Sequence, residues 1–223
     1  MKKLKYIFGG VLMAMVMGSC AVDNYEEPSC HVYGHITYKG ERLGLKNTGH
    51  TMTIELWQSG FGLEAAQVVG VKQDGMFSTY VYPGHCRLVA KNGLGPWESR
   101  HDTVHVDVKG DTEVNYEVVP YYTISDVKYS LGKDSVLTAT FNVTKVSSSA
   151  QPGTVGLLVN KTRFVDLQAS IKSTGVPGTT GKVTLTLDLK DKLKSEHYLF
   201  ARVYVKPGGV DEALYSVDPY QVK

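Results

Sequence analysis

The sequence predicts an all-β protein built as two tandem antiparallel β-sandwiches behind an N-terminal export segment. From residue 30 onward, apolar and polar residues alternate with a period of two, which is typical of half-buried strands. The alternating segments are short, and turns rich in glycine, proline and aspartate separate them, a spacing that is typical of a sandwich or barrel. The pattern changes after Pro120, so we place a domain boundary there.

The N-terminal segment, residues 1–19, has the charge order of a secretory signal peptide. Lysines precede an apolar run over residues 7–17, and the small residues Gly18 and Ser19 follow it. The run is shorter than the roughly 20 residues that a membrane-spanning helix needs. Cys20 comes directly after the small pair, an arrangement that resembles the lipobox of bacterial lipoproteins. The resemblance implies cleavage before Cys20 and lipid attachment to it. The alternative is an ordinary secretory signal with a cysteine there by chance.

Residues 20–29 are expected to form a solvated tether, because they are polar and offer nothing that could pack into a core. Asp23, Glu26 and Glu27 make this tether acidic. Acidic residues after the lipid cysteine resemble the surface-export signal of Bacteroidota lipoproteins. The resemblance implies a protein anchored in the outer membrane that faces the cell exterior. The alternative is a linker that happens to be acidic.

The charge balance argues against a nucleic-acid partner. The full chain has 24 Lys and Arg against 22 Asp and Glu, and removal of Lys2, Lys3 and Lys5 leaves 21 against 22, a formal charge of −1. Phosphate contacts need clustered basic residues, and the sequence has no such cluster. The predicted partner is a membrane, which the acyl chains on Cys20 would enter.

The segment 30–120 predicts the first sandwich. In residues 30–38, Val32, Ile36 and Tyr38 fall on one face of a strand, and histidine, tyrosine and threonine side chains fall on the other. Six further segments follow at short intervals. The seven predicted strands are 30–38, 51–57, 66–72, 76–82, 86–91, 103–108 and 112–119.

The segment 121–223 predicts a second sandwich of the immunoglobulin or fibronectin type III architecture. The likeness is one of architecture, because the Cys…Trp…Cys pattern of antibody domains is absent from the sequence. Residues 163–170 have no clear period, and residues 196–205 are expected to form the longest strand. The predicted strands are 122–129, 135–143, 154–160, 182–189, 196–205 and 213–217.

Several short sequence motifs in the segment 30–120 resemble those of a known family. They are Gly34–Glu41, Gln73–Phe77, Tyr82–Gly84, Gly95–Trp97 and Val119–Tyr121. In this order they resemble the carboxypeptidase-regulatory-like, transthyretin-type sandwich. The whole mature chain is similar to the Bacteroidota lipoproteins of the domain of unknown function 3823 family, in which an immunoglobulin-like domain follows the first. Cys86 departs from the pattern, since such domains usually carry an aromatic residue after the glycine hairpin.

This resemblance implies a role in nutrient capture at the cell surface. Such proteins are commonly encoded beside TonB-dependent porins and their glycan-binding lipoproteins, so a glycan and a porin complex are the expected partners. The family has no established catalytic residues, and none is carried over to this chain. The resemblance therefore implies an accessory binding module of polysaccharide uptake. The alternative from a different class is a structural or adhesive, fimbria-like subunit, in which the first sandwich is a spacer.

The sequence predicts no enzyme, no cofactor and no metal site. Residues 179–182 look like the end of a phosphate-binding loop, but Val176 and Val183 stand where that motif needs glycine and Ser or Thr. His101 and His105 have a spacing that suits zinc on a helix, yet their β-branched neighbours favour a strand. A strand would place the two side chains about 13 Å apart, too far for one zinc ion.

Four residues are candidates for ligand binding. Trp97 lies in a loop that two glycines and a proline hold rigid, and Arg100 and Asp102 are near enough to hydrogen-bond sugar hydroxyls. Packing of Trp97 in or between the sandwiches is the favoured alternative. Trp57 is the opposite case, because the alternation of its strand places it on the outward face with Glu55.

Two cysteines remain after Cys20, and their pairing is open. Cys30 shares a face with Val32, and Cys86 shares one with Leu88, so both are expected to point inward. An oxidising compartment permits a disulfide between them, whereas free buried thiols are equally compatible with a core.

Overall fold

The structure, a computed structural model, is described for residues 26–48, 52–62, 64–99 and 102–223. The predicted signal peptide, the predicted lipid-attachment residue Cys20 and the candidate binding residue Arg100 lie outside these ranges. The described residues form two domains that consist almost entirely of β-strands, as the sequence predicts.

The first domain packs two sheets face to face. Its strands are β1 (Cys30–Tyr38), β2 (Glu41–Arg42), β3 (Thr53–Gln58), β4 (Ala66–Gly70), β5 (Met76–Val81), β6 (Gly84–Ala90), β7 (Thr103–Val108), β8 (Thr112–Glu113) and β9 (Tyr116–Glu117). One sheet has the order β2-β1-β5, with β8 and β9 also paired to β1, and the other has the order β4-β3-β6-β7. The inward side chains of both sheets form the core.

The first sheet is mixed, whereas the sequence predicts antiparallel pairing throughout. β8 and β9 pair with β1 in parallel, because the turn at residues 109–111 carries the chain across to the opposite sheet instead of closing a hairpin. The predicted strand 112–119 is also divided in two. Between the two parts, the side-chain oxygen of Asn115 accepts the backbone N–H of His35 at 2.9 Å and replaces a ladder hydrogen bond.

The second domain is a sandwich of a three-stranded and a five-stranded sheet. Its elements are β10 (Tyr122–Leu131), β11 (Val136–Lys145), β12 (Thr154–Asn160), β13 (Lys172–Pro177), β14 (Gly181–Asp188), α1 (Lys190–Ser195), β15 (Phe200–Lys206), β16 (Leu214–Tyr215) and β17 (Tyr220–Gln221). The sheet orders are β10-β11-β14 and β13-β12-β15-β16, with β17 also paired to β15.

The predicted long strand 196–205 is wrong in its first part. The helix α1 carries the chain from β14 in one sheet toward the other sheet, and β15 begins only at Phe200. β15 is buried on both faces, because Ala201, Val203 and Val205 pack into the hydrophobic core and Arg202 on the other face bonds to the first domain. The longest described strands are β10 and β11.

The hydrophobic core runs through both domains. One contiguous cluster of buried apolar side chains extends from Cys30 in the first domain to Leu214 in the second. Cys30 and Cys86 both lie in this cluster as free thiols. The two cysteines are therefore not joined by a disulfide in this structure. Burial, and secondarily the charge of Cys30, raises the pKa of the Cys86 thiol.

Arg202 joins the two domains from a fully buried position, with 0% of its surface exposed. Its guanidinium donates to the carbonyl oxygens of Leu45 at 3.0 Å and Gln73 at 3.2 Å in the first domain. In the second domain it donates to Ser216 at 2.7 Å and Val165 at 3.1 Å. Burial lowers the pKa of Arg202 to about 10, which still leaves the side chain charged at neutral pH. Four carbonyls from two domains thus satisfy one buried cation.

The segment after β2 makes further contacts with the second domain. The backbone N–H of Tyr215 donates to the carbonyl of Gly44 at 2.9 Å, and the two residues form an isolated β-bridge. A Cβ atom on Gly44 would lie 2.4 Å from the carbonyl oxygen of Tyr215, so only glycine permits this approach. Lys46 also forms an ion pair with Glu212. These contacts hold the domains as one unit.

Candidate functional site

A large cavity lies in the groove where the two domains meet. It has a volume of about 720 Å³, which is within the range of ligand pockets. The first domain contributes Tyr38 and Lys39 at the end of β1 and residues 41–44, which comprise β2 and the two residues after it. The second domain contributes residues 123–129 of β10 and the segment 214–220. We call this cavity the interdomain cleft.

The part of β10 that lines the interdomain cleft contains a β-bulge. Its register with β11 shifts between Ser125 and Lys128, and Asp126 has a positive φ of 52°. Non-glycine residues are uncommon in this conformation, and bulges are frequent beside functional sites, where they redirect side chains. Asn142 donates to the Asp126 carboxylate at 2.6 Å and thereby holds it in place. The bulge therefore gives the cleft a fixed hydrogen-bond acceptor.

Two tyrosine rings stack on each other in the same wall. Tyr129 and Tyr220 have ring centroids 4.7 Å apart and planes inclined by 10°. The hydroxyl oxygen of Tyr129 accepts the backbone N–H of Val203 at 3.1 Å and lies 3.3 Å from the hydroxyl of Ser216, so this ring cannot turn freely. Burial raises the pKa of Tyr129, so its hydroxyl stays neutral. Tyr220 is 37% exposed and offers an aromatic surface on this rigid support.

Across the cleft, the β1–β2 turn supplies a third aromatic ring and charged groups. Tyr38 is half-buried, and the Lys39 ammonium lies 5.3 Å from the centre of its ring. The charged residues around the cleft are Lys39 and Arg42 against Glu41, Asp126 and Asp218, two cations against three anions. A nearly neutral cleft with aromatic walls and the fixed acceptor Asp126 suits a neutral ligand with many hydroxyl groups better than a polyanion.

The structure buries Trp97 instead of presenting its indole to a ligand. Trp97 is only 8% exposed, and its indole lies on Gly95, where an added Cβ atom would be 2.2 Å from the ring. Trp97 also forms an isolated β-bridge with Pro120, the last residue before the second domain. Glu98 accepts a hydrogen bond from Ser147 of the second domain. Packing, the favoured alternative from the sequence, is therefore the role that the structure supports for Trp97.

Asp102 lies beside Trp97, at a cavity of only about 10 Å³. Such a space holds one water molecule at most, so a sugar ring cannot enter it. The Asp102 carbonyl accepts the hydroxyl of Tyr116 at 2.7 Å, which ties the residue before β7 to β9. The candidate Arg100, which would complete this group, falls outside the described residues.

Trp57 lies on the outer face of the second sheet of the first domain, as the alternation predicts. The Arg87 guanidinium is 5.7 Å from the centre of the indole and also pairs with Glu64 at 3.0 Å. Beyond Arg87, His85 lies 2.7 Å from Asp107 and 3.1 Å from a nitrogen of the neighbouring His105. This face is polar and half-exposed, whereas the interdomain cleft is a cavity of about 720 Å³.

Within the described part of the chain, no three His, Cys, Asp or Glu side chains are arranged to hold a metal ion. In the same residues, no helix is both long enough and apolar enough to span a membrane.

The tyrosines of the interdomain cleft were not among the residues that the sequence singled out. The cleft tyrosines belong to elements that are far apart in the chain: Tyr38, Tyr129 and Tyr220. The alternation within one strand shows which face a residue occupies, but it does not show which other strand that face meets. The count of 14 tyrosines was a signal for aromatic binding surfaces, but it did not point to particular residues.

The fold and the cleft define a two-domain β-sandwich protein with a preformed groove at the domain junction. Residues 30–119 match the model of the DUF3823 N-terminal domain, described as a protein of unknown function, and residues 122–218 match the DUF3823_C domain, a domain of unknown function. The chain belongs to the DUF3823 family. No curated protein is significantly similar to it.

Crystal structures of similar proteins share both domains. A DUF3823 family protein from Parabacteroides merdae ATCC 43184 is 34% identical, with a TM-score of 0.82, and the match covers 89% of this chain and 100% of that one. A DUF3823 family protein from Bacteroides ovatus ATCC 8483 is 26% identical, with a TM-score of 0.78 and coverage of 87% and 98%.

A third structure shows the same fold at lower identity. It is a protein from Bacteroides uniformis ATCC 8492 that is described as a "putative carbohydrate binding protein". It is 18% identical, with a TM-score of 0.69, and the match covers 88% of this chain and 100% of that one.

Proposed function

We propose that the protein is a non-enzymatic carbohydrate-binding accessory protein of a surface nutrient-uptake system, and that the interdomain cleft holds the glycan. The stacked pair of Tyr129 and Tyr220 carries this proposal. Sugar rings have an apolar face that packs on aromatic rings and an edge of hydroxyls that needs hydrogen-bond partners. The cleft offers the exposed ring of Tyr220 beside the fixed carboxylate of Asp126. The carbohydrate-binding description of the Bacteroides uniformis protein, which shares the fold, adds support.

The rigidity of the site favours binding. Arg202 and the Gly44–Tyr215 bridge hold both walls of the cleft before a ligand arrives. Because few side chains must be ordered on association, less of the binding free energy is lost to conformational entropy. A groove of this kind can bind a flexible glycan even though each contact is weak.

The test is binding of residues 21–223 to an immobilised array of xylans, mannans, glucans, pectins and mucin glycans. Tyr220→Ala is expected to lower the affinity for the bound glycan about ten-fold or more, because it removes the stacking surface. Tyr220→Phe keeps the ring and should retain most of the affinity. Tyr198→Ala is the matched control, since Tyr198 is 61% exposed and does not line the cleft. Equal binding by the Ala variant and the unchanged protein would refute the site. Absence of binding to every glycan would favour a structural or adhesive subunit.

We also propose that the mature protein is held at the outer membrane by acyl chains on Cys20. The lipobox-like residues before Cys20 support this proposal. Two or more acyl chains on that cysteine would suffice for stable anchoring. Cys20→Ala should release the protein from the membrane fraction and abolish lipid labelling. A variant that still fractionates with the outer membrane would contradict the anchor.

Exposure on the cell exterior and contact with a TonB-dependent porin complex complete the proposal. The acidic tether supports the first part, and Glu26 and Glu27 are exposed. Neutral substitutions of Asp23, Glu26 and Glu27 should move the protein from the surface to the periplasm, which protease treatment of intact cells would detect. Unchanged protease sensitivity would contradict surface export by this signal.

A further inference from the structure

We infer that Lys39 and Asp126 form a donor–acceptor pair that selects a neutral glycan through its free hydroxyl groups. This inference rests on the proposed function of the interdomain cleft and names the class of sugar that the cleft takes. The two residues line the cleft from different domains, Lys39 from the first and Asp126 from the second, and both are exposed. We call them the polar pair.

The polar pair is distinguished by its backbone conformation. Among the described residues, three that are not glycine have a positive φ: Lys39 at 52°, Asp126 at 52° and Ser135 at 68°. Two of these three line the same cavity. Backbone conformations that are sparsely populated cluster at ligand sites, where the surrounding structure holds them at a cost in stability. The interdomain cleft therefore has such a residue in each of its walls.

The turn that carries Lys39 does not need a lysine in order to fold. Lys39 and Gly40 join β1 to β2 with positive φ at both positions, as in a type I′ turn, in which Asn-Gly is preferred. Lysine is not among the residues enriched in this conformation. The Glu117 carboxylate braces the turn, because it accepts the backbone N–H of Lys39 and the hydroxyl of Thr37. The lysine side chain therefore has a role other than forming the turn.

The Lys39 ammonium can act as a hydrogen-bond donor to a ligand. It lies 5.3 Å from the centre of the Tyr38 ring, and it forms no ion pair with a carboxylate in the described part of the chain. An ammonium group has three donors and no acceptor. A sugar that enters the cleft beside Tyr38 can therefore receive a hydrogen bond from Lys39 on one of its oxygens.

Asp126 supplies the complementary acceptor. Its Oδ2 atom accepts hydrogen bonds from the Asn142 amide at 2.6 Å and from the Ser125 hydroxyl at 3.2 Å. These two bonds leave Oδ1 to accept a hydrogen bond from a sugar hydroxyl. Asp126 and Asp218 both line this wall, so they repel the repeated carboxylates of an acidic glycan. A neutral glycan meets no such repulsion, and its hydroxyls can both donate to Asp126 and accept from Lys39.

The experiment replaces each of the three positive-φ residues by asparagine, which tolerates this conformation and carries no charge. Residues 21–223 are titrated with xylohexaose, mannohexaose, cellohexaose and the acidic hexagalacturonate in a calorimeter. We expect a neutral hexasaccharide to bind more tightly than hexagalacturonate. Lys39→Asn and Asp126→Asn should each lower the affinity for that hexasaccharide about ten-fold, because each removes a charge-assisted hydrogen bond. Neither should lower the melting temperature, since asparagine keeps the backbone conformation.

Ser135→Asn is the matched control. It makes the same change in the turn between β10 and β11, and Ser135 does not line the cleft, so the affinity should stay unchanged. Unchanged affinity in Lys39→Asn or Asp126→Asn would overturn the polar pair, even if Tyr220→Ala abolished binding and thereby supported the proposed function. A loss of affinity that came with a lower melting temperature would make the role structural and overturn it as well. Tighter binding of hexagalacturonate, or binding of none of the four probes, would contradict the selection of a neutral glycan, while the glycan array decides the proposed function separately.

Discussion

At the scale of single residues, a buried carboxylate fastens the segment after β2 to the second domain. The Asp166 carboxylate accepts the backbone N–H groups of Asn47 at 3.1 Å and Thr48 at 2.9 Å from the first domain. It also accepts those of Gln168 and Ala169 in its own loop. Burial alone would raise the pKa of Asp166, but these hydrogen bonds outweigh it and lower the pKa below the ordinary value of 3.8.

The lowered pKa makes a pH-dependent prediction. Because the folded state holds the charged form, the contribution of Asp166 to the free energy of unfolding is present above the unfolded pKa and is lost as pH falls through the folded value. Asp166→Asn should therefore cost about 2–3 kcal/mol at pH 7 and much less near pH 2. Urea unfolding of both proteins at the two pH values measures this. If Asp166→Asn changed the free energy of unfolding equally at pH 7 and near pH 2, the charge of Asp166 would have no role in stability.

At the scale of elements, the Trp97 loop ties the first domain to the start of the second. The backbone N–H of Tyr121 donates to the carbonyl of Pro96 at 3.0 Å, and that of Glu98 donates to Val119 at 2.9 Å. The loop is thus paired on both sides of Trp97 with the chain that leaves the first domain. This pairing buries the indole, whereas Trp57 stays half-exposed on an outer sheet face.

The two tryptophans should respond differently to truncation. Trp97→Ala removes a buried ring and should lower the free energy of unfolding by about 3–5 kcal/mol. Trp57→Ala removes an outward ring and its contact with Arg87, so the cost should stay within about 1 kcal/mol. Chemical denaturation measures both. If both substitutions lowered the free energy of unfolding equally, or if Trp57→Ala lowered it more, the burial of the two rings would not explain their contributions to stability.

Individual elements also show how far the sequence could predict the structure. The predicted bounds of β1, β7 and β12 are those of the structure, because alternation or an unbroken apolar run is a local signal. The strand β13 and the helix α1 were missed, since β13 has no large apolar face and α1 is only six residues long. The parallel pairing of β8 and β9 depends on where the chain goes after a turn, which composition does not encode.

At the scale of the whole molecule, the two domains act as one body with a cleft between them. The core cluster that extends from Cys30 to Leu214, the four bonds of Arg202 and the Asp166 carboxylate all cross or border the domain junction. The sequence predicted two sandwiches, but it could not predict this junction, because contacts such as Arg202 to Leu45 and Asp166 to Asn47 join residues more than a hundred positions apart. The candidate site was missed for the same reason.

We propose that a glycan binds in the interdomain cleft and contacts both domains. Hydrogen–deuterium exchange of residues 21–223, with and without an oligosaccharide that binds, would detect contact with both domains. We expect slower exchange in three segments that lie apart in the sequence, residues 38–44, 123–129 and 214–220. Protection restricted to one domain, or centred on the outer face around Trp57 and Arg87, would contradict the claim.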